Sequence, residues 1–447
     1  MNNFVISITV LLIGIILLFP RRWAAIAIVA SVLYLTQIQN FVIFGMNLFP
    51  IRFIELAGIL RVFLRREIII HNFNNIDKAF CIYNIALILI YLIRCIDDIN
   101  SRNLITYQIG IFVDGMLVYI VFRGLIDNIE KLLIFLMDIV FLLIPFTVFM
   151  IIEGITGKNV FSYMVDMTIT PYFRDGYYRC QASFRHAILA GSVGATMLPL
   201  FLLIMSVCNN NIIGGLGIIL CVVIVLASHS SGPFMALSIG ILACFLWPLR
   251  NRMKIVQWSI FWLLLFLHII MKSPAWYLIA RISDIIGGDG WHRANLINQW
   301  INSIGDWWVW GMSWNKTVNW AATTMPWGGV DVTNEYINIS INGGIISLIL
   351  FIMLLGKCYS NLGRKIAEAA INGDKNIELV CWGLGASLTS HVLNLLSVSY
   401  WDQFYVLWYM LLSIISGITG DVHGENDSRA VDDSSIEYEK QWWQAGS

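Results

Sequence analysis

The chain has 447 residues, 58% of them hydrophobic and only 13% charged, and its 28 basic and 28 acidic residues cancel to a net charge of zero. Soluble domains carry about 25% charged residues, so an ordinary wetted surface is excluded. Charge neutrality also removes the electrostatic case for a nucleic-acid partner.

Apolar runs fall, in chain order, at residues 4–19, 23–40, 43–64, 79–96, 104–122, 131–152, 186–207, 212–228, 232–248, 255–271, 337–356, 377–397 and 403–419. A helical bilayer span needs about 20 such residues, with shorter ones tolerated. None of the runs alternates with period two, so the backbone is predicted to satisfy itself in helices rather than in a barrel. The expectation is an all-α polytopic membrane protein over residues 1–419, with 13 transmembrane helices, or 12 if the first pair is re-entrant. The first run has no basic residue before it and no small-residue cleavage site after it, which predicts a retained helix rather than a signal peptide. The eight cysteines form no CxxC pair and nearly all lie within apolar runs. They read as small apolar residues, with neither a metal site nor a disulfide framework indicated.

Basic residues predict the sidedness. With Arg21 and Arg22 inside, alternation along the runs puts Arg61, Arg65, Arg66, Lys78, Arg123, Lys131, Arg250, Arg252, Lys254, Lys357, Arg364, Lys365 and Lys375 on the same side. Two long segments, 153–185 and 272–336, then fall outside. Residues 420–447 are acidic with little apolar content and read as a disordered cytoplasmic tail.

The second long segment holds half of the tryptophans: Trp276, Trp291, Trp300, Trp307, Trp308, Trp310, Trp314, Trp320 and Trp327. It also holds Arg281, Asp289, His292, Arg293, Asp331 and Glu335. Indole rings can stack on sugar faces, or form the interfacial belt of a membrane protein. Both readings stay open.

Three constellations carry chemistry. Arg179, Arg185 and His186 precede the run at 186–207, where guanidinium groups suit a lipid-linked phosphate or simply anchor to headgroups. Ser228-His229-Ser230-Ser231-Gly232-Pro233 is either a tight turn or, through Ser231, a surface that admits substrate closely. Asn334, Glu335, Tyr336 and Asn338 open the run at 337–356. There Asn334 reads as a helix cap, and Glu335 as a dipole partner or a partly desolvated base. Within the apolar runs Arg52, Glu55, Arg94, Asp114 and Asp138 need partners or a cavity. Arg52 and Glu55, three residues apart, are expected to pair with each other.

Together these segments resemble the bacterial O-antigen ligases and the related O-antigen and exopolysaccharide polymerases. Arg179, Phe184, His186 and Gly191 match the family's pattern before a mid-chain helix, and Ser228 to Pro233 looks like its serine-rich turn without the arginine often found there. The segment from Arg293-Ala294-Asn295-Leu296 to Gly311 resembles the opening of the family's large loop. Aligning on Gly344 puts Asn334 on the family's asparagine and Tyr336 on its aromatic. Thr333 then falls where ligases keep the histidine expected to deprotonate the acceptor. Threonine cannot do this at neutral pH, which leaves Glu335 or His292 as the base and favours a polymerase-like branch.

The resemblance implies metal-independent glycosyl transfer, without a cofactor, at the outer face of the bacterial inner membrane. The donor would be an oligosaccharide on undecaprenyl pyrophosphate and the acceptor a glycan, with a chain-length regulator and a flippase as accompanying partners. Arg179, Arg185 and Arg293 would stabilise the departing pyrophosphate. His186, Asn334, Tyr336 and Ser231 would contact substrate. The competing readings are a transporter or flippase, although no internal repeat is visible, and a non-catalytic membrane accessory protein.

Overall fold

In a computed structural model the described residues are 2–43, 46–67, 73–95, 101–208, 210–286, 290–317, 320, 324–325 and 329–420. The acidic tail from 421 onward, Asp289 and Trp327 lie outside them. Helices dominate: α1 (Asn3–Leu18), α2 (Arg21–Tyr34), α3 (Pro50–Leu64), α4 (Asn75–Arg94), α5 (Ser101–Leu125), α6 (Ile129–Thr156), the short α7 (Ser162–Val165), α8 (Ala187–Val207), α9 (Asn211–Ala227), α10 (Ser231–Phe245) and α11 (Met253–Ile270). The insert contributes α12 (Leu278–Ile286), α13 (Gly290–Asn302), α14 (Ile304–Trp307) and α15 (Trp314–Thr317), and then come α16 (Glu335–Asn372), α17 (Lys375–Asn394) and α18 (Tyr405–Thr419). Three two-stranded antiparallel hairpins, β1–β2 (Phe41–Ile43 with Met46–Leu48), β3–β4 (Tyr172–Arg174 with Tyr177–Arg179) and β5–β6 (Thr324–Met325 with Gly329–Val330), are the sheet structure among the described residues.

The protein is all-α, and among the described residues six helices are long and apolar enough to cross a membrane: α4, α5, α6, α8, α16 and the stretch Trp247–Ile270 that contains α11. α1, α9 and α10 are apolar but shorter. Each expected run contains a helix, with two corrections. The run at 23–40 ends as a helix at Tyr34, and the run at 43–64 starts only at Pro50, because Phe41–Leu48 form a hairpin. Proline at the first helical position, with its fixed φ and missing N–H, sets that start. The segment 272–336 carries four short α-helices among its described residues, α12 to α15.

The cores differ in kind. α8 is buried almost from end to end between α9, α10 and α17, whereas α11 buries none of its residues. The insert builds a small core of its own from Leu296, Trp307 and Met312 against Ile337 and Ile341 of α16. Trp300 and Trp307 stack there at 4.8 Å. Their indole N–H groups donate to Ser340 Oγ and to the Trp300 carbonyl, and those of Trp320 and Trp276 donate to Ser303 Oγ and Asn298 Oδ1. These four tryptophans are structural, while Trp291, Trp308 and Trp310 are exposed.

Where the insert crosses α16, the helix breaks. Gly344 has φ +65°, and a Cβ there would lie 2.1 Å from the Val309 carbonyl oxygen. The Ile345 N–H donates to the Trp308 carbonyl and the Met312 N–H to the Ile341 carbonyl, so the insert satisfies backbone groups that the break frees. Arg94 finishes the junction by donating to the carbonyls of Met312 and Ile341.

The other charges in the apolar runs are also partnered. Asp138 takes a two-pronged bond from Arg22 at 2.7 and 2.8 Å. Arg52 pairs with Asp114 at 2.9 Å, not with Glu55, which instead accepts from the Tyr405 hydroxyl at 2.6 Å. The short basic loops gather at one end of the bundle, in the pairs Arg21–Glu67, Arg61–Glu67, Lys131–Asp127 and Arg250–Glu378. Segments 153–185, 228–231, 272–336 and 395–402 meet at the opposite end.

Candidate functional site: a cluster of guanidinium groups at one end of the bundle

Two anchors hold the segment between α7 and α8. The Glu153 carboxylate, at the end of α6, accepts the backbone N–H groups of Gln181 and Ala182 at 3.2 and 2.8 Å, and Asn159 bridges Glu153 to the Ala182 carbonyl. The Cys180 N–H donates to the Ala227 carbonyl at the end of α9. Between these anchors, β3–β4 carries Arg174 and Arg179 toward the turn that joins α9 to α10.

That turn is packed closely. A Cβ at Gly191 would lie 2.3 Å from Ser228 Oγ, and one at Gly232 would lie 2.4 Å from Ser397 Oγ. The two glycines let α8 and the 395–398 segment close on the serines. Two successive hydroxyls then receive two arginines from different segments. Arg179 Nη2 donates to Ser230 Oγ at 2.9 Å, and Arg293 Nη1, from α13, donates to Ser231 Oγ at 3.1 Å.

Arg179 has no carboxylate partner among the described residues. Burial, then the charges of Arg174 and Arg293, lower its pKa from 12.5 to about 10. Arg174, itself paired with Asp175 at 3.3 Å, and Arg293 both act on Arg179, whose Nε is buried without a hydrogen-bond partner. An anion placed here would relieve that repulsion and supply the missing acceptor.

His186 caps α8, its Nδ1 accepting the Ile188 N–H at 3.1 Å. The ring is therefore neutral, with its proton on Nε2. Burial, then Arg179 and Arg174, push its pKa down to about 4. It offers a neutral hydrogen-bond donor, not another cation. His229, stacked on Tyr177 at 4.6 Å, is lowered too, by burial and then by Arg179.

Arg185 stands apart from this group. Its Nε and backbone N–H bind the two oxygens of Asp402 at 3.0 and 2.9 Å, and its guanidinium lies 5.1 Å from the Trp401 ring. Its charge is thus largely matched already. Trp401 also lies 6.5 Å from the His186 ring. Asp402 has φ +58°, and Asp175, Ala182 and His229 are also left-handed. With Asp166, five of the six non-glycine residues with positive φ among the described residues thus belong to these segments, and strain of this kind gathers at functional sites.

Asn334 caps α16 by accepting the Tyr336 and Ile337 N–H groups, while Tyr336 donates its hydroxyl to the Val392 carbonyl. Glu335 donates its N–H to the Leu395 carbonyl and accepts from Asn338 Nδ2 at 3.3 Å. Its carboxylate lines a cavity of about 30 Å³ with Tyr83, Tyr400, Tyr405, Tyr409 and Trp408. His292, next to Arg293 on α13, places Nε2 3.2 Å from the Asp331 carbonyl. Thr333 Oγ1 is buried and has no partner.

The structure therefore brings Arg179, His186, Ser231 and Arg293 to one locus. Arg185, though next to His186 in sequence, turns its charge to Asp402, and Asn334, Tyr336, Glu335 and His292 are arranged separately around the start of α16. Sequence reasoning missed the roles of Asp402, Trp401 and the cavity tyrosines. An aspartate beside a tryptophan at the mouth of the last apolar run was the available signal for the first two.

Fold and site define the class: an all-α membrane protein in which two arginines from separate segments sit on adjacent serines at one end of the bundle. No protein-family model and no curated protein matches the chain.

Proposed function

We propose that the chain is a membrane glycosyltransferase that transfers or polymerises undecaprenyl-pyrophosphate-linked glycan units onto a glycan acceptor, at the outer face of the bacterial inner membrane. One observation carries this reading: Arg179 and Arg293 are seated on adjacent serines, with Arg174 crowding them. Such a group suits a leaving group of concentrated negative charge at a membrane surface. In this reaction the acceptor oxygen bonds to the anomeric carbon as the bond from that carbon to the phosphate oxygen breaks, and the pyrophosphate departs on its lipid. Fixed guanidinium donors stabilise the charge as it develops. Glu335, at the mouth of its cavity, takes the proton of the acceptor hydroxyl. The exposed Trp291, Trp308 and Trp310 offer faces for sugar rings.

The buried group Arg52–Asp114–Glu55 favours a second reading, as a flippase or transporter, since intramembrane charges often mark a transport path. A deletion strain separates the two. Single repeat units on undecaprenyl pyrophosphate, accumulating in the outer leaflet, support transfer. Accumulation confined to the cytoplasmic leaflet overturns it in favour of the flippase.

A further inference from the structure

Behind Glu335 lies a second acidic group that neither anion binding nor chemistry at the donor uses. Glu55 on α3 is 2% exposed and Asp114 on α5 is 7% exposed, and their carboxyls lie within hydrogen-bonding reach of each other. Arg52 satisfies Asp114, lying flat on α5 where a Cβ at Gly110 would meet its guanidinium at 2.6 Å. Tyr405 on α18 satisfies Glu55 Oε1. Glu55 Oε2 is buried with no donor. α1 and α2, also packed on α3, bury apolar side chains such as Leu12, Ile28 and Val32, and the hydroxyls of Thr9 and Ser31 are spent on backbone carbonyls. Among the described residues, Tyr107 of α5 and Tyr409 of α18 also lie within electrostatic range of Asp114.

Two buried carboxyls with one guanidinium leave an uncompensated charge in a low-dielectric interior, and one added proton removes it. That proton, held between Glu55 and Asp114, also supplies the donor that Oε2 lacks.

We propose that Glu55 and Asp114 share one proton and act, through Tyr405 and the cavity, as the relay that resets Glu335. This rests on the glycosyl-transfer reading. Each turnover leaves the acceptor's proton on Glu335. Glu335 and Tyr405 line the same cavity, which is large enough for a water molecule. Tyr405 passes its hydroxyl proton to Glu55 and takes one from the cavity side. The proton formerly shared with Asp114 leaves past Arg52 and the exposed Tyr107. One proton enters and one leaves, with no change of oxidation state.

The test uses the full chain in lipid nanodiscs. Infrared spectroscopy at neutral pH should show the carbonyl stretch of a protonated, buried carboxylic acid, shifted in D2O and absent in Glu55→Gln. Glu55→Gln and Tyr405→Phe should each slow glycan transfer by about tenfold or more, with a solvent isotope effect larger than the parent's and an unchanged KM for the lipid-linked donor. Tyr405→Phe keeps the ring and serves if Glu55→Gln does not fold. The relay is overturned by parental turnover in both variants, or by a parent protein with no protonated-acid band. If Glu335→Gln is inactive while Glu55→Gln and Tyr405→Phe are not, the relay alone falls. Full turnover in Glu335→Gln overturns the base assignment and the relay with it.

Discussion

Arg179→Ala sets stability and function against each other. In the folded protein the Arg179 pKa falls from 12.5 to about 10, through burial first and then the charges of Arg174 and Arg293. That drop corresponds to about 3 kcal/mol spent on keeping the guanidinium charged in place. Removing the side chain releases this cost and forfeits the bond to Ser230, worth about 1.5–3 kcal/mol for a charged donor. The two terms nearly cancel, so the unliganded variant should unfold within about 1 kcal/mol of the parent, on the stable side if anything. Anion binding should suffer instead, since one charge-assisted contact is worth about 10–100-fold in affinity. The assay is thermal unfolding in detergent with and without inorganic pyrophosphate, run beside the glycan length distribution in cells. The parent should be stabilised by pyrophosphate and make long chains; the variant should do neither, at equal protein level. An Arg179→Ala protein that melts several degrees lower without ligand, yet responds to pyrophosphate and makes long chains, would refute the reasoning.

Further outcomes follow from the same geometry. Arg293→Ala should also abolish long-chain glycan at unchanged protein level, because it removes the second guanidinium from the serine pair; a normal ladder would sink the anion site. Glu335→Gln, nearly isosteric, should lower transfer by roughly 10²–10⁴-fold, measured as initial rate with a lipid-linked donor. Gly344→Ala should destabilise by about 3 kcal/mol or more and loosen the insert from α16, since φ +65° disfavours a Cβ and the Val309 carbonyl oxygen would lie 2.1 Å from it; limited proteolysis within 309–312 reads this directly. His186 titrates near 4 in the folded chain against an ordinary 6.5. The unfolded chain therefore takes up the proton first on acidification, and stability present above pH 6.5 is lost as pH falls toward 4, by at most about 3 kcal/mol. His186→Asn keeps a capping acceptor and should flatten that part of the stability profile.

Much of the architecture was legible because burial in a bilayer is written as long apolar runs, and a 3.6-residue helix is their default solution. The hairpin at Phe41–Leu48 escaped because short strands of Phe, Val and Ile have the same hydropathy as a helix turn; only Pro50 marks the true start. Pairing failed for a different reason. Arg52 and Glu55 are correctly spaced for one helix face, but α5 brings Asp114 into the better position and α18 brings Tyr405. Spacing reports what a helix can do alone and says nothing of what a neighbouring helix offers. The anion site shows both cases. That Arg179 and Arg293 bear on the same serine turn rests on contacts 51 and 62 residues apart in sequence, which motif order could suggest and geometry alone could specify. The neutralisation of Arg185 by Asp402, 217 residues away, had no such hint.

The separation of the guanidinium cluster from Glu335 bears on how transfer would work. Arg179, Arg293 and His186 gather where the proposed leaving group would sit, and Glu335 lines a tyrosine-rich cavity that none of the three borders. A displacement with inversion needs nucleophile and leaving group on opposite sides of the anomeric carbon, so a donor anion site and an acceptor-side base should stand apart. A histidine at position 333 would lie one residue before the cap of α16. The carboxylate that replaces it in this reading lies one residue after, on the first turn, where the helix dipole and the packed tyrosines hold it in a fixed direction. Replacing a base by one on a neighbouring helical position changes its approach direction, and the acceptor must be presented differently to meet it. On the proposed reading, acceptor choice is therefore the property most exposed to having Thr333 and Glu335 where a ligase keeps its histidine, and the proposal of a polymerase-like acceptor rests on that difference.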